Sequence, residues 1–327
     1  SVEEGGSGGD MLSYLLAVTR LSEACATTGV ILSAHTSLCA WPISQYGSDY
    51  QKKTFLKPLL DGTYLGAFGL TEPDAGTDAS MQKTVAVDKG DYYEITGSKF
   101  FITNAGYADI YVITALTDPQ AKTRGISTFI LEKGMAGFTV GKKEMKMGIR
   151  GSSTCELIMD KVKVPKENLL GKENKGFSIA MKTLDGGRIG IAAQAVGIAR
   201  GAIDEAYAYV KDRKQFGKPI GSFQNTQFTL ADLETNTEAA LMLTMQAAMM
   251  KDQGKPFAKQ AAMAKLHAAQ NAMNVTTRAL QLFGGYGFTR EYDIERMMRD
   301  AKITEIYEGT NEAQKMVISG HMRKERG

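Results

Sequence analysis

Apolar residues recur at helical spacing through MLSYLLAVTRLSEA near the start of the chain, and again over much longer stretches after about residue 173. Between these regions the rhythm changes. From Tyr64 to Pro165 short alternating runs (KTVAVDKGDYYEITGSKFFITN, DIYVITALT, GISTFILEKG, CELIMDKVKVP) are broken by turn residues. Side chains at i, i+3 and i+4 share one face of a helix, whereas successive strand residues point to opposite faces. The pattern therefore predicts an α+β chain in three parts: helices over 1–63, a β domain of barrel or sandwich type over 64–172, and a long helical bundle over 173–327. Ser48 and Gln51 stand at capping-box spacing ahead of a helix that Gly62 stops and Pro58 kinks. KGD and TGS read as turns between β-rich runs. The methionine and alanine stripes of the late helices predict tight core packing, with a methionine-lined groove as the other reading.

A chain of 327 residues exceeds one ordinary core. With 43% hydrophobic and 23% charged residues it falls in the globular class. The net charge of +3 is spread along the chain, which argues against nucleic acid or an anionic membrane as partner. Cys25, Cys39 and Cys155 form no CxxC pair, so disulfides and a cysteine-built zinc site are not expected and a reducing compartment fits. His35, His267 and His321 show no HExxH spacing, and no metal is expected. No apolar run reaches about 18 residues, so no transmembrane helix is expected. The opening SVEEGGSGGDM has neither an initiator Met nor a signal pattern, and the natural N-terminus is expected to lie upstream.

No GxGxxG follows a predicted strand, so a Rossmann site is not indicated. FGLTEPDAGTDAS (68–80) and KFFITNAG (99–106) place hydroxyls and backbone amides beside glycines, where they can offer donors to a planar, polar-edged ring. DRKQFGKPI (212–220) sets Arg213 at a helix end, and its guanidinium fork suits a pyrophosphate. QLFGGYGF (281–288) closes a helix with glycines that permit close backbone approach. In EIYEGTNEAQ (305–314), Glu308 precedes Gly309 at a turn before a new helix. Taken singly, each of these is also compatible with an ordinary turn or cap.

Together, in this order, TEPDAGTD, ITN, DRKQFGK, QLFGGYGF and MRDAKITEIYEGTNEAQ resemble the acyl-CoA dehydrogenase family, and most of all its short-chain, butyryl-CoA-type bacterial members. The likeness extends from about Gly5 to about Arg323, with an initial helical stretch of roughly 50 residues expected to be absent. It implies an FAD enzyme with an N-terminal helical domain, a middle β domain and a C-terminal four-helix domain, assembled as a homotetramer. Phe68, Leu70 and Thr71 would lie along the flavin, with Phe101, Ile102 and Thr103 beside N5. Arg213, Phe216, Gln224, Gln281, Leu282, Gly284 and Gly285 would hold the pyrophosphate and adenosine end across a subunit boundary. Thr310 and Glu312 would contact FAD from the catalytic loop, and Thr77 would serve both cofactor and substrate. Asp185, Gly186, Gly187 and Arg188, with Tyr307 and Gly309, would meet the acyl-CoA. Phe101 stands where many relatives carry tryptophan, and Thr77 where serine is common; ring and hydroxyl are kept.

The implied reaction is α,β-dehydrogenation of a short-chain acyl-CoA to the trans-2-enoyl-CoA. Glu308 takes the α-proton, the β-hydride passes to flavin N5, and electrons go on to an electron-transferring flavoprotein. Drying the carboxylate would raise its pKa toward the working range. In the family the thioester carbonyl is held by the base's own N–H and a flavin hydroxyl. Some members carry the base instead before the arginine of LDxxR, but that position is Gly187 here. Two other readings stay open: an acyl-CoA oxidase of the same fold, although the extra C-terminal domain of those oxidases is lacking, and a non-catalytic assembly protein. The resemblance implies a bacterial cytoplasmic location, or a mitochondrial matrix one if the source is eukaryotic.

Overall fold

The alternating runs become strands: β1 (Gly66–Gly69), β2 (Val85–Asp88), β3 (Tyr92–Thr103), β4 (Ile110–Leu116), β5 (Ile126–Glu132), β6 (Phe138–Lys143), β7 (Thr154–Pro165) and β8 (Leu169–Leu170). They form one mixed sheet in the order β6-β7-β3-β2-β4-β5-β8, with β1 running parallel to β4. Strands β4 and β5 are buried along almost their whole length because both of their faces are covered. Tyr111, Ile113, Phe129 and Leu131 point into a core with Tyr93, Phe138 and Leu157. Their neighbours Ile110, Val112 and Ile130 point the other way, onto Leu38, Ile43, Phe55 and Leu59. The computed structural model describes all of residues 1–327, in two compact units. The first comprises 1–9, 31–145 and 151–187, and the second 10–30, 146–150 and 188–327.

The helices of the early chain are α1 (Met11–Ala24), α2 (Ala26–Ser33), α3 (Trp41–Tyr46), α4 (Asp49–Gln51) and α5 (Lys57–Leu60), with π-helical turns at Ala34–Ala40 and Lys52–Leu56. The capping box forms: Gln51 N–H donates to Ser48 Oγ, and the Ser48 N–H donates to Gln51 Oε1. Pro58 follows on a π-helical turn. The π turn ends with Lys57 N–H on Lys52 O, and Pro58 then stands in the first turn of α5, where its missing N–H costs nothing.

TGS, expected as a turn, is not one. Gly97 lies inside the continuous strand β3, opposite a bulge in β7 where Lys161 takes φ +53°. Gly97 itself has φ +148°, and a Cβ there would stand 2.7 Å from Thr84 Cα. Only glycine lets the two backbones approach so closely.

The second unit holds most of the long helix α6 (Gly176–Asp212), a small hairpin β9 (Lys214–Gln215) and β10 (Lys218–Pro219), then α7 (Gln224–Asp252), α8 (Ala258–Phe283), α9 (Ile294–Thr304) and α10 (Asn311–Arg326). Helix α8 packs against α7, α9 and α10, and α1 lies on α7. Alanines form the seams: Ala240, Ala247, Ala261, Ala264, Ala268 and Ala272 are buried, whereas Met242, Met249 and Met263 are exposed. Close helix approach selects the small residue of each stripe, so the alanines form most of these seams, with Met297 of α9 among the buried residues. No helix is long and apolar enough to cross a membrane.

Candidate active site

Glu308 lies in the connection between α9 and α10. The turn is built from two left-handed residues, Glu308 at φ +55° and Gly309 at φ +87°. For a residue with a Cβ this conformation is uncommon and is characteristic of functional sites. Thr310 then caps α10, its hydroxyl accepting from the Ala313 N–H. The turn is clamped from its carbonyl side. Gln314 Nε2 donates to Glu308 O at 3.1 Å and to Gly309 O at 2.8 Å. Lys265, on α8, donates to Gly309 O at 2.8 Å.

The residue Glu308 is half-buried as a whole, but its Oε2 is sealed from solvent and accepts no hydrogen bond from the protein. An unpartnered buried carboxylate oxygen is costly as an anion. Burial accordingly pushes the Glu308 carboxyl up to about 7, while the cations Arg188 and Lys265 pull against that rise. Arg188, expected to meet substrate, is buried in α6, and its charge bears on Glu308. Tyr307 hydrogen-bonds Gln194 Oε1 through its hydroxyl, and Gln194 Nε2 donates to Ala26 O. Burial raises the Tyr307 hydroxyl well above its ordinary value, so it stays protonated as a donor. Gly309 is in place for a steric reason too, since a Cβ there would lie 2.8 Å from Gln314 Nε2. Glu312 is exposed, on the first turn of α10.

In the first unit, the polar-ring segment is fixed from below. Lys99 is fully buried and donates to Leu70 O, Glu72 Oε1, Gln82 Oε1 and Thr114 Oγ1. Glu72 also accepts from the N–H groups of Lys83 and Thr84, and the Phe100 N–H holds Thr71 O at 2.8 Å. The side chains of Phe68, Leu70 and Ile102 turn into the cores, so these positions present backbone. Thr71 and Thr103 stay half-buried, with hydroxyls that no protein group engages. A bulge in β3 between Lys99 and Ile102 gives Phe101 φ +57° and swings its ring out, 64% exposed. Thr77 is exposed in the loop after β1. Free hydroxyls beside an outward aromatic ring are what a flavin's polar edge and flat face require, so these residues fit the group.

The glycine-rich end of α8 lines a cleft of about 590 Å³ with Gln281, Leu282, Gly284 and Gly285, together with Arg213. The Arg213 guanidinium lies 5.5 Å from the Tyr286 ring centre. Phe216 and Gln224 are not part of this cleft. Phe216 is the left-handed tip of the β9–β10 hairpin, 93% exposed, and Gln224 is exposed at the start of α7. Asp185, Gly186 and Gly187 lie on α6, in the turn preceding Arg188.

Sequence reasoning missed Lys265, Gln314, Gln194, Lys99 and Glu72. Lys265 does leave a signal, a lysine amid AAMAKLHAA four residues after Ala261 and four before Ala269, on the helix face that is otherwise alanine.

Three family models match: acyl-CoA dehydrogenase N-terminal domain over residues 1–63, middle domain over 67–162 and C-terminal domain over 174–322. A short-chain specific acyl-CoA dehydrogenase of Clostridium acetobutylicum is 61% identical over 320 residues, covering 98% of this chain and 84% of the relative. The solved butyryl-CoA dehydrogenase of Megasphaera elsdenii superposes with TM-score 0.97 at 56% identity, over 99% of this chain and 85% of that one. A chain in the structure of the electron transferring flavoprotein of Acidaminococcus fermentans gives TM-score 0.98 at 57% identity, over 98% and 85%. The chain belongs to the acyl-CoA dehydrogenase family.

Proposed function

We propose that the chain oxidises a short-chain acyl-CoA to the trans-2-enoyl-CoA with FAD, that Glu308 is the base, and that the electrons leave to an electron-transferring flavoprotein. The observation that carries the reading is the Glu308 carboxylate, with one oxygen buried and unpartnered, at about 7 rather than its ordinary 4.5. That difference makes it a stronger base by roughly 3 kcal/mol. At neutral pH about half of it is ionised and ready to take a proton.

The α-hydrogen of a thioester is weakly acidic, because its loss leaves charge only on the carbonyl. Glu308 Oε2 takes that proton, and the backbone N–H of the same residue donates to the carbonyl oxygen. Arg188 and Lys265 favour the ionised base before the proton arrives. When bound, FAD supplies the acceptor for the hydride that leaves the neighbouring carbon. Thr71 and Thr103 would hold its ring, while Arg213 and the Gln281–Gly285 end of α8 would hold its pyrophosphate and adenosine portion. Thr310 and Glu312 would contact it from the start of α10. Thr77, Asp185, Gly186, Gly187 and Tyr307 would receive the acyl-CoA.

The acceptor assignment is supported by the likeness to a chain in the Acidaminococcus electron transferring flavoprotein structure, and the short-chain assignment by the Clostridium and Megasphaera relatives. The reading carries with it three domains (1–63, 64–172 and 173–327), a homotetramer and a bacterial cytoplasmic location. The test is anaerobic bleaching of the bound flavin by acyl-CoAs from butyryl to palmitoyl, in the wild type and in Glu308→Gln. Fastest bleaching with butyryl-CoA, abolished in the variant although ligand still binds, supports the reading. Equal bleaching by the variant removes Glu308 from its role, and rapid peroxide formation in air would favour an oxidase.

A further inference from the structure

Lys265 is fully buried, yet it forms no direct ion pair. Lysines are almost never sealed in this way without a partner. Burial holds its ammonium down at about 8, so it is mostly charged at neutral pH. What it touches is the catalytic turn: Gly309 O at 2.8 Å and Asn311 Oδ1 at 3.4 Å. Gly309 O therefore takes two donors, one neutral from Gln314 and one charged from Lys265. The charged groups that bear on Lys265 are Glu308 and Glu305 from the loop, Glu312 from α10 and Arg188 from α6. Those that bear on Glu308 are Arg188 and Lys265.

We propose that Lys265 is a positioning residue for the base: its buried ammonium pins the left-handed Glu308–Gly309 turn through the Gly309 carbonyl and brings a positive charge into the sealed region that holds the carboxylate. A neutral clamp already exists in Gln314, so holding the turn does not by itself call for a lysine. The charge is the part that Gln314 cannot supply. Lys265 and Arg188 are the two cations that favour the ionised form of Glu308, and of the two Lys265 also holds the turn. The inference rests on Glu308 being the base.

The experiment is the pH profile of anaerobic flavin bleaching by butyryl-CoA in the wild type and in Lys265→Met, Lys265→Gln, Lys265→Arg and Gln314→Met, with Glu308→Gln as reference. Lys265→Met is expected to move the midpoint of the rising limb upward by about one unit and to slow bleaching at neutral pH about fivefold, with ligand affinity little changed. Lys265→Arg restores the midpoint. Lys265→Gln keeps a donor but not the charge and gives the shifted midpoint, which also serves if the methionine variant does not fold. Gln314→Met slows the reaction without moving the midpoint. A carbon-13 titration of glutamate-labelled protein, with the Glu308 signal assigned by Glu308→Gln, reads the same shift without turnover. Superimposable midpoints in the wild type and the two neutral variants overturn the proposal while Glu308 keeps its role. Normal bleaching by Glu308→Gln would instead bring down the functional reading beneath it.

Discussion

Replacing Lys99 by methionine tests the foundation of the loop that carries Leu70, Thr71 and Glu72. Lys99 is fully buried and Glu72 is 5% exposed, with Nζ 2.7 Å from Oε1. The two partners do not share the burden equally. Burial drives Lys99 down to about 8 even with Glu72 beside it, whereas Glu72 lies below its ordinary value. The asymmetry has a structural cause: Glu72 also accepts from two backbone N–H groups, while Lys99 has left water entirely. The ion pair is therefore a fixture of geometry more than a source of net stability. Removing only the cation leaves the carboxylate buried and uncompensated, a loss of about 3–5 kcal/mol. For units of this size that corresponds to a fall in Tm of roughly 10 °C. Lys99→Met combined with Glu72→Gln removes the stranded charge and is expected to recover about half of the loss or more. Thermal melts of the three proteins, with flavin content measured alongside, give the comparison. A loss below about 1 kcal/mol in the single variant, or a double variant no better than the single, refutes the reasoning.

Further expectations concern the turn, the sheet and the cap. A carboxyl whose pKa is raised on folding contributes stability below its unfolded value near 4.5 and loses it as pH rises through about 7. Urea melts of ligand-free protein should therefore show Glu308→Gln gaining on the wild type between pH 5 and pH 8, by at most roughly 3 kcal/mol. No gain would mean that the carboxylate is not buried at a cost. Gly97→Ala forces a Cβ onto Thr84 at a φ that only glycine adopts readily, and a loss of about 1–3 kcal/mol is expected in denaturant titration. Ser48→Ala deletes half of the capping box and should cost about 1 kcal/mol in the same assay.

The α+β division was legible because periodicity changes sharply at the borders of the sheet, whereas Glu308 was singled out only by the resemblance of the motif around it, a carboxylate beside a turn glycine being by itself an ordinary loop residue. What could not be read was set by contacts distant in sequence. Gly97 looks like a turn until Thr84 is seen across the strand. The methionines of α7 and α8 looked like core, but only small side chains fit where the helix axes come close, and the alanines took that place. Lys265 and Gln314 reach the Glu308–Gly309 turn over 44 and 5 residues of sequence. Neither has a motif of its own, because each acts through a backbone carbonyl that carries no residue identity.

The central claim is that one dried carboxylate removes the proton. Rapid mixing of anaerobic, flavin-loaded protein with butyryl-CoA, wild type against Glu308→Gln, tests it most directly. The account predicts bleaching in the wild type that rises with pH around a midpoint near 7, and a variant that binds the thioester but whose flavin colour does not fade. A variant that bleaches as fast as the wild type would contradict it.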